Sequence, residues 1–497
     1  MINQISRRRF LRIAGGITYL AFLQDEQGLF AATPAGSQLP RFTVLPYIQP
    51  GPASALVEDH DSLTVAWQME DGPADFAVTF GLDKTYRSTA KIVRASRPAK
   101  SGAARVNYHA TLSGLTLNRT YYYRVRGNGK ILAEGYASTR KPRGHKIRFV
   151  SFGDNSCGAA ADHAIAFQAY RARPDFVMNT GDNVYNAGLD GEYTRCFFPV
   201  YNSDNASPAD GAPLLRSVPF YTVLANHDLN AREQTVADFD HDRDALGYFT
   251  AMHLPESRFT PSHPTPLAGE NRVIAQFRDC AGPRYPHMAN YAFDYGDAHF
   301  LCLDSNVYVD PTDRKLQDWI DRDLSSTDAL WKFVVFHHPP FNAGMEHFRE
   351  QHMRALSPLF EKHGMDIALS GHEHTYQRTH PLRFEPADIG RAALIDGKDR
   401  RVSGKFSIDT QFDGDKATKP VGIIYIVTGA GGNDLYDSGF TGSPEKWLRE
   451  DDGNAAYVAK FHSAKHSLTV IDIDDRSLYL TQIDEDGGEI DRIHLTK

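Results

Sequence analysis

Residues 147–154, IRFVSFGD, and residues 175–185, DFVMNTGDNVY, are apolar, β-rich runs that each lead into an aspartate. Three further runs of this kind follow, and each also ends in residues that can bind a metal ion. The five clusters are Asp154, Asp182 to Tyr185, Asn226-His227-Asp228, His337-His338 and His372-Glu373-His374. The segments between them are long enough to return over a sheet. Because ligands converge at the carboxyl ends of such strands, the sequence predicts a site at one edge of an open α/β sheet.

The residue types in these clusters suit a pair of metal ions. Hydrolysis of a phosphate ester needs a hydroxide where water is scarcely ionised, and it needs the charge on phosphorus to be neutralised during attack. Two cations about 3.5–4 Å apart do both. Cations this close require an anionic bridge, and Asp182 is the natural bridging carboxylate. The sequence therefore predicts a two-metal hydrolase.

Each of these residues also has a structural interpretation that needs no metal. A chain with 21 histidines contains some close pairs by chance, and a lone histidine is more often a core or surface group than a ligand. The His372-Glu373-His374 cluster follows Ser-Gly and a buried run, which favours metal binding. His347 lies in EHFREQHMR, which also fits the exposed face of a helix, and His338 precedes Pro339-Pro340, which could simply fix a turn.

Taken together, the clusters carry a family resemblance. They occur in the order typical of the calcineurin-like metallophosphoesterases, and Tyr185, three residues after Asp182, resembles the purple acid phosphatase branch. The wider superfamily has a histidine ligand where this chain has Ser156, and the phenolate of Tyr185 can take up that ligand position. A phenolate on Fe(III) gives a charge-transfer colour, so the resemblance implies a ferric site.

The resemblance also implies a role for each site residue. It places a ferric ion on Asp154, Asp182, Tyr185 and His374, and a divalent ion, which could be Zn, Fe or Mn, on Asp182, Asn226, His337 and His372. His227 is expected to face the substrate phosphate, and His347 is the candidate acid that protonates the leaving alcohol. His338 and Glu346 are further candidates for substrate binding.

The N-terminal segment predicts export. Ser6-Arg7-Arg8-Arg9-Phe10-Leu11-Arg12 and the apolar run after it resemble a twin-arginine signal, which we assign to residues 1–32. The alternative is a basic tail without structure. The resemblance implies a bacterial protein that is periplasmic or secreted, has the twin-arginine export machinery as a partner and has no membrane span in its mature form. The net charge of −8 gives no sign of a nucleic-acid surface.

The remaining sequence predicts two domains. Residues 41–142 contain alternating runs such as SLTVAWQ and TYYYRVRG between turn residues, which predicts an all-β sandwich. They resemble the fibronectin type III-like domain that precedes the catalytic domain in larger purple acid phosphatases. Residues 145–497 are then the catalytic domain, for which the resemblance implies an α/β, four-layer sandwich of two mixed β-sheets flanked by helices. The four cysteines, at positions 157, 196, 280 and 302, allow three pairings if all are bridged.

We expect an exported acid phosphatase that hydrolyses phosphate monoesters by attack of a metal-bound hydroxide. One alternative is a phosphodiesterase acting on nucleotides or glycerophosphodiesters through the same metal site, because the long segments 229–290 and 380–418 could narrow the mouth of the site. A second alternative is a binding protein in which the β-rich domain carries the function. That alternative requires the loss of metal ligands, and no ligand of the pattern is missing.

Overall fold

The structure is a computed structural model in which a β-rich N-terminal part precedes a larger α/β part. It describes residues 41–497 except for 54–59, 73, 98–104, 230–243, 258–270, 388–393, 395–398 and 451–454. The predicted signal segment, residues 1–32, lies outside the described residues, as do parts of the two long segments. No helix in the described part of the chain is long and apolar enough to span a membrane.

The N-terminal part consists of two antiparallel, four-stranded sheets with strand orders β1-β2-β6-β5 and β4-β3-β7-β8. Its strands are β1 Phe42–Pro50, β2 His60–Glu70, β3 Phe76–Gly81, β4 Ser88–Ala90, β5 Ile92–Arg97, β6 Arg105–Thr116, β7 Thr120–Gly127 and β8 Lys130–Ser138. Strand β7 alternates buried and half-buried residues, as expected where one face of a sheet covers a core. The rings of Trp67 and Tyr108 stack with centroids 5.4 Å apart. The prediction of a β-rich N-terminal domain is confirmed.

The larger part contains a six-stranded sheet, β11-β10-β9-β21-β22-β23, and a seven-stranded sheet, β12-β13-β14-β15-β19-β16-β20. Its strands are β9 Ile147–Phe152, β10 Phe176–Asn179, β11 Phe220–Thr222, β12 Tyr291–Tyr295, β13 Ala298–Cys302, β14 Trp331–Val335, β15 Ile367–Ser370, β16 Tyr376–Thr379, β17 Leu382–Pro386, β18 Gly404–Ile408, β19 Ile424–Thr428, β20 Val458–His462, β21 Ser467–Asp474, β22 Ser477–Asp484 and β23 Glu489–Thr496. Strands β17 and β18 form a separate hairpin. Both large sheets are mixed, as predicted for this fold.

Short helices connect these strands. The α-helices are α1 Ala160–Arg171, α2 Asp190–Glu192, α3 Phe198–Tyr201, α4 Tyr248–Ala251, α5 Asn271–Ala281, α6 Arg314–Ser326, α7 Ser357–Lys362 and α8 Pro444–Glu450. A π-helix spans Tyr193–Phe197, and 3-10 helices span Leu214–Arg216, Gly282–Arg284 and His352–Leu356. Helix α6 buries Leu316, Trp319 and Ile320 at helical spacing, and the Asp313 side chain caps it by accepting from the backbone N–H of Lys315.

The two large sheets pack against each other through aromatic side chains. The ring of Phe149, on β9, lies 5.3 Å from that of Phe300 on β13 and 5.4 Å from that of Phe333 on β14. The parallel strands are buried on both faces, which explains why their sequences are continuous apolar runs. The expectation of a single sheet edge is therefore wrong. The clusters follow β9, β10 and β11 on one sheet and β14 and β15 on the other, so the two facing sheets contribute to one site.

Hydrogen bonds fasten the N-terminal sheets to the larger part. The hydroxyl of Tyr47 donates to the carbonyl of Ala251 over 2.7 Å, and the amide of Gln68 donates to Asp190 over 3.1 Å. Both bonds are buried. The described cysteines 157, 196 and 302 are free thiols, and Cys302 is buried in β13 as its apolar surroundings predict.

Candidate metal centre

Two buried carboxylates follow the adjacent parallel strands β9 and β10. Asp154 and Asp182 have positive φ angles of 59° and 50°, and His372, which approaches them from the other sheet, has a φ of 67°. Such conformations are unfavourable for residues other than glycine and are concentrated at functional sites. The backbone N–H of His372 donates to both carboxylate oxygens of Asp154, over 2.9 and 3.0 Å. The strained turns thus bring the two sheets together at the carboxylates.

Two glycines allow this close approach. A Cβ atom on Gly371 would lie 2.4 Å from Oδ2 of Asp154, and one on Gly429 would lie 2.8 Å from the same oxygen. Both distances are shorter than real contacts of a Cβ atom. The glycines that follow β15 and β19 are therefore required for the Asp154 carboxylate to occupy its position.

His337, at the end of β14, is oriented by a backbone carbonyl. Its Nδ1 donates to the carbonyl of Thr180 over 2.8 Å. Its Nε2 is buried, has no hydrogen-bond partner in the described part of the chain, and lies 3.3 Å from Oδ2 of Asp182 and 3.9 Å from Oδ1 of Asp154. When the ring is neutral, a lone pair on Nε2 therefore faces two carboxylates. This arrangement is stable only with a proton or another cation between them.

His374 and Tyr185 meet on the other side of Asp154. Nδ1 of His374 donates to the carbonyl of Asp434 over 2.7 Å, so the lone pair of a neutral ring is on Nε2, which lies 3.5 Å from Oδ1 of Asp154. The hydroxyl of Tyr185 lies 3.2 Å from this Nε2 and 3.4 Å from the same carboxylate oxygen. Ser156 is buried nearby, but its hydroxyl oxygen accepts from the Asn155 amide.

The cluster after β11, Asn226-His227-Asp228, joins the side chains around Asp182. The backbone N–H of His227 donates to Oδ1 of Asp182 over 2.9 Å, which places Asn226 beside that carboxylate. Oδ1 of Asn226 is buried and has no hydrogen-bond partner in the described residues. Nδ1 of His227 donates to the carbonyl of Asn186, and its half-buried ring lies at the mouth of the site, with its centroid 4.5 Å from that of the Tyr185 ring.

His347 lies beside the site in a segment that is not an α-helix, so the alternative of an exposed helical face is wrong. Its ring centroid is 3.8 Å from that of His372, and its side chain is 25% exposed. The backbone N–H of His347 donates to the buried carboxylate of Glu373 over 3.0 Å. Glu346, the neighbouring candidate for substrate binding, is exposed.

Glu350 is a site residue that the sequence did not single out. One of its carboxylate oxygens lies 3.1 Å from Nε2 of His372 and 3.9 Å from Nε2 of His338, and the other lies 3.3 Å from Nδ1 of His347. The only available signal was its position three residues after His347. His338 is buried with its Nδ1 2.9 Å from the hydroxyl of Ser305, on the side of the site near Glu350.

The charges of the site depend on each other. Burial lowers the pKa of His337, but Asp182 and Asp154 outweigh it and raise the pKa to about 9. Burial and the same two carboxylates raise the pKa of Tyr185 well above its usual range. Burial lowers the pKa of His347, but Glu350 outweighs it, so the net pKa is raised. Because the pKa of Tyr185 is raised so far, a phenolate at this position requires a bound cation.

Comparison with protein families adds to this geometry. Residues 147–376 match the model of the calcineurin-like phosphoesterases, and residues 52–141 match that of the purple acid phosphatase N-terminal domain. The first match contains all five strand-end clusters. Residues 147–376 therefore form a calcineurin-like phosphoesterase domain. Members of this family are metal-dependent phosphoric ester hydrolases with a dinuclear metal centre.

The individual relatives of this chain are distant. An uncharacterized protein of Mycobacterium tuberculosis is 26% identical over 74% of this chain and 66% of its own length. Purple acid phosphatase 15 of Arabidopsis thaliana is 27% identical over 63% of this chain and 57% of its own length. The chain thus spans less than two thirds of the length of these relatives. The solved purple acid phosphatase PPD1 of yellow lupin has the same fold, with a TM-score of 0.63 and 17% identity over 91% of this chain and 74% of its own.

The donor atoms of the site fit a metal centre. Asp182, His337 and His372 can each supply a ligand atom within 4.8 Å of the others. Among the residues that the structure describes, Nε2 of His337 and Oδ1 of Asn226 are buried and have no hydrogen-bond partner, and burying such atoms is costly unless something binds them. Carbonyl groups anchor the opposite nitrogens of His337 and His374, an arrangement typical of ligating histidines.

Proposed function

We propose that this chain is an exported acid phosphatase that hydrolyses phosphate monoesters at a centre holding one ferric and one divalent ion, Zn, Fe or Mn. The observation that carries the proposal is the convergence of the clusters after β9, β10, β11, β14 and β15 on the Asp154 and Asp182 carboxylates. We assign the ferric position to Asp154, Asp182, Tyr185 and His374, and the divalent position to Asp182, Asn226, His337 and His372. Two bound cations would neutralise phosphate charge and lower the pKa of water.

The chain's own residues would bind the ester and move the proton. His227 is held through Nδ1 by the carbonyl of Asn186, so its Nε2 is available at the mouth for a phosphate oxygen. Nδ1 of His347 faces Glu350, so its Nε2 is available for the leaving oxygen. Because the pKa of His347 is raised, this ring carries a proton in weakly acidic solution and can donate it to an alkoxide.

A second candidate function, hydrolysis of phosphodiesters, is favoured by Glu350. The Glu350 carboxylate, beside His347 and His372, repels a monoester dianion more than a diester monoanion. Two bound cations, however, offset this charge for both substrates. We therefore propose the monoesterase first.

The two candidates differ in a direct assay of the full chain loaded with iron and zinc. We expect a higher kcat/KM for glycerol phosphate and p-nitrophenyl phosphate than for bis(p-nitrophenyl) phosphate. A much higher kcat/KM for the diester would refute the monoesterase proposal in favour of the second candidate. If none of the three esters is hydrolysed, both candidates are rejected. The Asp182→Asn variant is the control for contaminating phosphatases, because it lacks the bridging carboxylate.

Export through the twin-arginine route is a separate part of the proposal and is supported by the N-terminal sequence motif. Replacing Arg8 and Arg9 by lysine in the full-length gene should retain the protein in the cytoplasm of a bacterial host. Finding the same periplasmic or secreted fraction for both forms would refute this part and leave the proposed chemistry intact.

A further inference from the structure

Three histidine rings surround the carboxylate of Glu350, and they come from different parts of the chain. Nε2 of His372 lies 3.1 Å from one carboxylate oxygen, Nδ1 of His347 lies 3.3 Å from the other, and Nε2 of His338 lies 3.9 Å from the first. His338, His372 and Glu350 resemble a cation site made of two imidazoles and one carboxylate. The tautomers of the two rings decide whether these residues can bind a cation.

The tautomer of His338 follows from its neighbour Ser305. The hydroxyl oxygen of Ser305 accepts from the backbone N–H groups of His337 and His338, over 3.1 and 3.0 Å. Its own hydrogen is then directed to Nδ1 of His338, 2.9 Å away. With Nδ1 as the acceptor, the proton of a neutral His338 ring is on Nε2 and faces Glu350. A nitrogen that carries a proton cannot bind a metal ion, so these three residues are not a further cation site.

The same reasoning assigns the tautomer of His372. Its Nε2 is within hydrogen-bond distance of a carboxylate oxygen, which has no proton to donate when ionised, so Nε2 is the donor. The nitrogen left with a lone pair is Nδ1, which is the atom available to the divalent position. A carboxylate that accepts from the far nitrogen of a ligating histidine fixes its tautomer and ring orientation and makes it a stronger ligand.

The backbone around Glu350 holds the carboxylate in place. The N–H of Glu350 donates to the carbonyl of His347 over 3.0 Å, and Glu350 forms a β-bridge with Arg400. The next residue, Gln351, donates from its N–H to the carbonyl of Arg400. The turn thus joins Glu350 directly to the residue whose ring it contacts.

We propose that Glu350 is a positioning residue that couples the two functions of the site, holding His372 with Nδ1 toward the divalent ion and His347 with Nε2 toward the leaving oxygen. The inference rests on the proposed function: its catalytic half rests on the proposed reaction, and its metal-binding half rests on the assignment of His372 to the divalent position. Its metal-binding half concerns the affinity of the chain for a divalent ion and is independent of the substrate.

The metal-binding half is tested by dialysing the loaded full chain against increasing concentrations of a chelator and measuring retained zinc and iron. We expect Glu350→Gln and Glu350→Ala to release the divalent ion at about 10- to 100-fold lower chelator concentration than the wild type, with iron retained. Glu385→Gln, which removes an exposed carboxylate on β17, is the matched control and should behave as wild type. Release at the wild-type concentration from both Glu350 variants would overturn the proposal.

The catalytic half is tested at saturating zinc with two monoesters. Loss of Glu350 should lower kcat for glycerol phosphate more than for p-nitrophenyl phosphate, and adding Glu350→Gln to His347→Ala should cause little further loss. Fully additive losses would overturn the coupling to His347.

Glu350→Asp, which keeps the charge, should recover part of the metal retention, whereas a general defect in folding would not be corrected in this way. If the wild type hydrolyses no ester, the proposed function fails, and the chelator result still decides the metal-binding half.

Discussion

His299 connects the seven-stranded sheet to helix α6 through two ion pairs. Its Nδ1 lies 2.8 Å from Asp294 on β12, and its Nε2 lies 2.9 Å from Asp323 on α6. The His299 side chain is 6% exposed. Burial lowers its pKa, but the two aspartates outweigh burial and raise the pKa to about 9. The ring is therefore positively charged in the folded protein at neutral pH.

The raised pKa predicts how His299 contributes to stability. The folded-state pKa of about 9 compares with an unfolded value of about 6.5, a difference that corresponds to about 3 kcal/mol. Because the folded pKa is the higher one, this stabilisation is fully present below pH 6.5. It is lost as the pH rises toward 9, where only a few tenths of a kcal/mol remain.

The assay is urea unfolding of wild type and His299→Gln at a series of pH values from 6 to 9.5. Glutamine retains hydrogen-bonding groups but cannot be protonated, so the difference in unfolding free energy isolates the charge of the ring. We expect a deficit of about 3 kcal/mol at pH 6 that shrinks to below about 1 kcal/mol at pH 9.5. Curves for the two proteins that run parallel over this range would refute the assignment of a charged His299.

Three further predictions concern the site. Asp182→Asn should lose both metal ions and nearly all activity, whereas Asn226→Ala should mainly empty the divalent position; elemental analysis would contradict the assignment if both variants kept two metals. His347→Ala should reduce kcat for glycerol phosphate by about 10²- to 10⁴-fold and affect p-nitrophenyl phosphate far less, because an alkoxide needs a proton in the transition state; equal small losses would make His347 a surface residue. Gly371→Ala should reduce metal content and activity at least 10-fold, since its Cβ would lie 2.4 Å from Asp154, and wild-type values would show that the turn tolerates a side chain.

Much of the site could be predicted because its ligands follow strands. Asp154 and Asp182 come directly after apolar runs. The carboxyl ends of neighbouring parallel strands are adjacent, independently of how the rest of the chain folds. The sequence did not show that β14 belongs to a different sheet from β9. Continuous apolar runs look the same in one wide sheet and in two facing sheets, and only long-range packing such as that of Phe149 on Phe333 distinguishes them.

The mouth of the site was harder to predict because it consists of turns. Glu346 and Glu350 are four residues apart in a segment without a regular repeat, and the sequence favoured the first, which is exposed. The position of Glu350 depends on a β-bridge to Arg400, and that of His347 on a bond to Glu373. Contacts between residues this distant in sequence leave no local pattern.

The most direct test of the dinuclear centre is elemental analysis combined with a visible spectrum of the purified full-length protein. We predict two metal ions per chain, one of them iron, and a broad visible absorption that Tyr185→Phe abolishes and Ser156→Ala retains. The expected difference follows from the positions of the two hydroxyls, since that of Tyr185 contacts Asp154 and His374 whereas that of Ser156 is bound by Asn155. An active, colourless protein without iron, or an absorption that survives in Tyr185→Phe, would contradict the account.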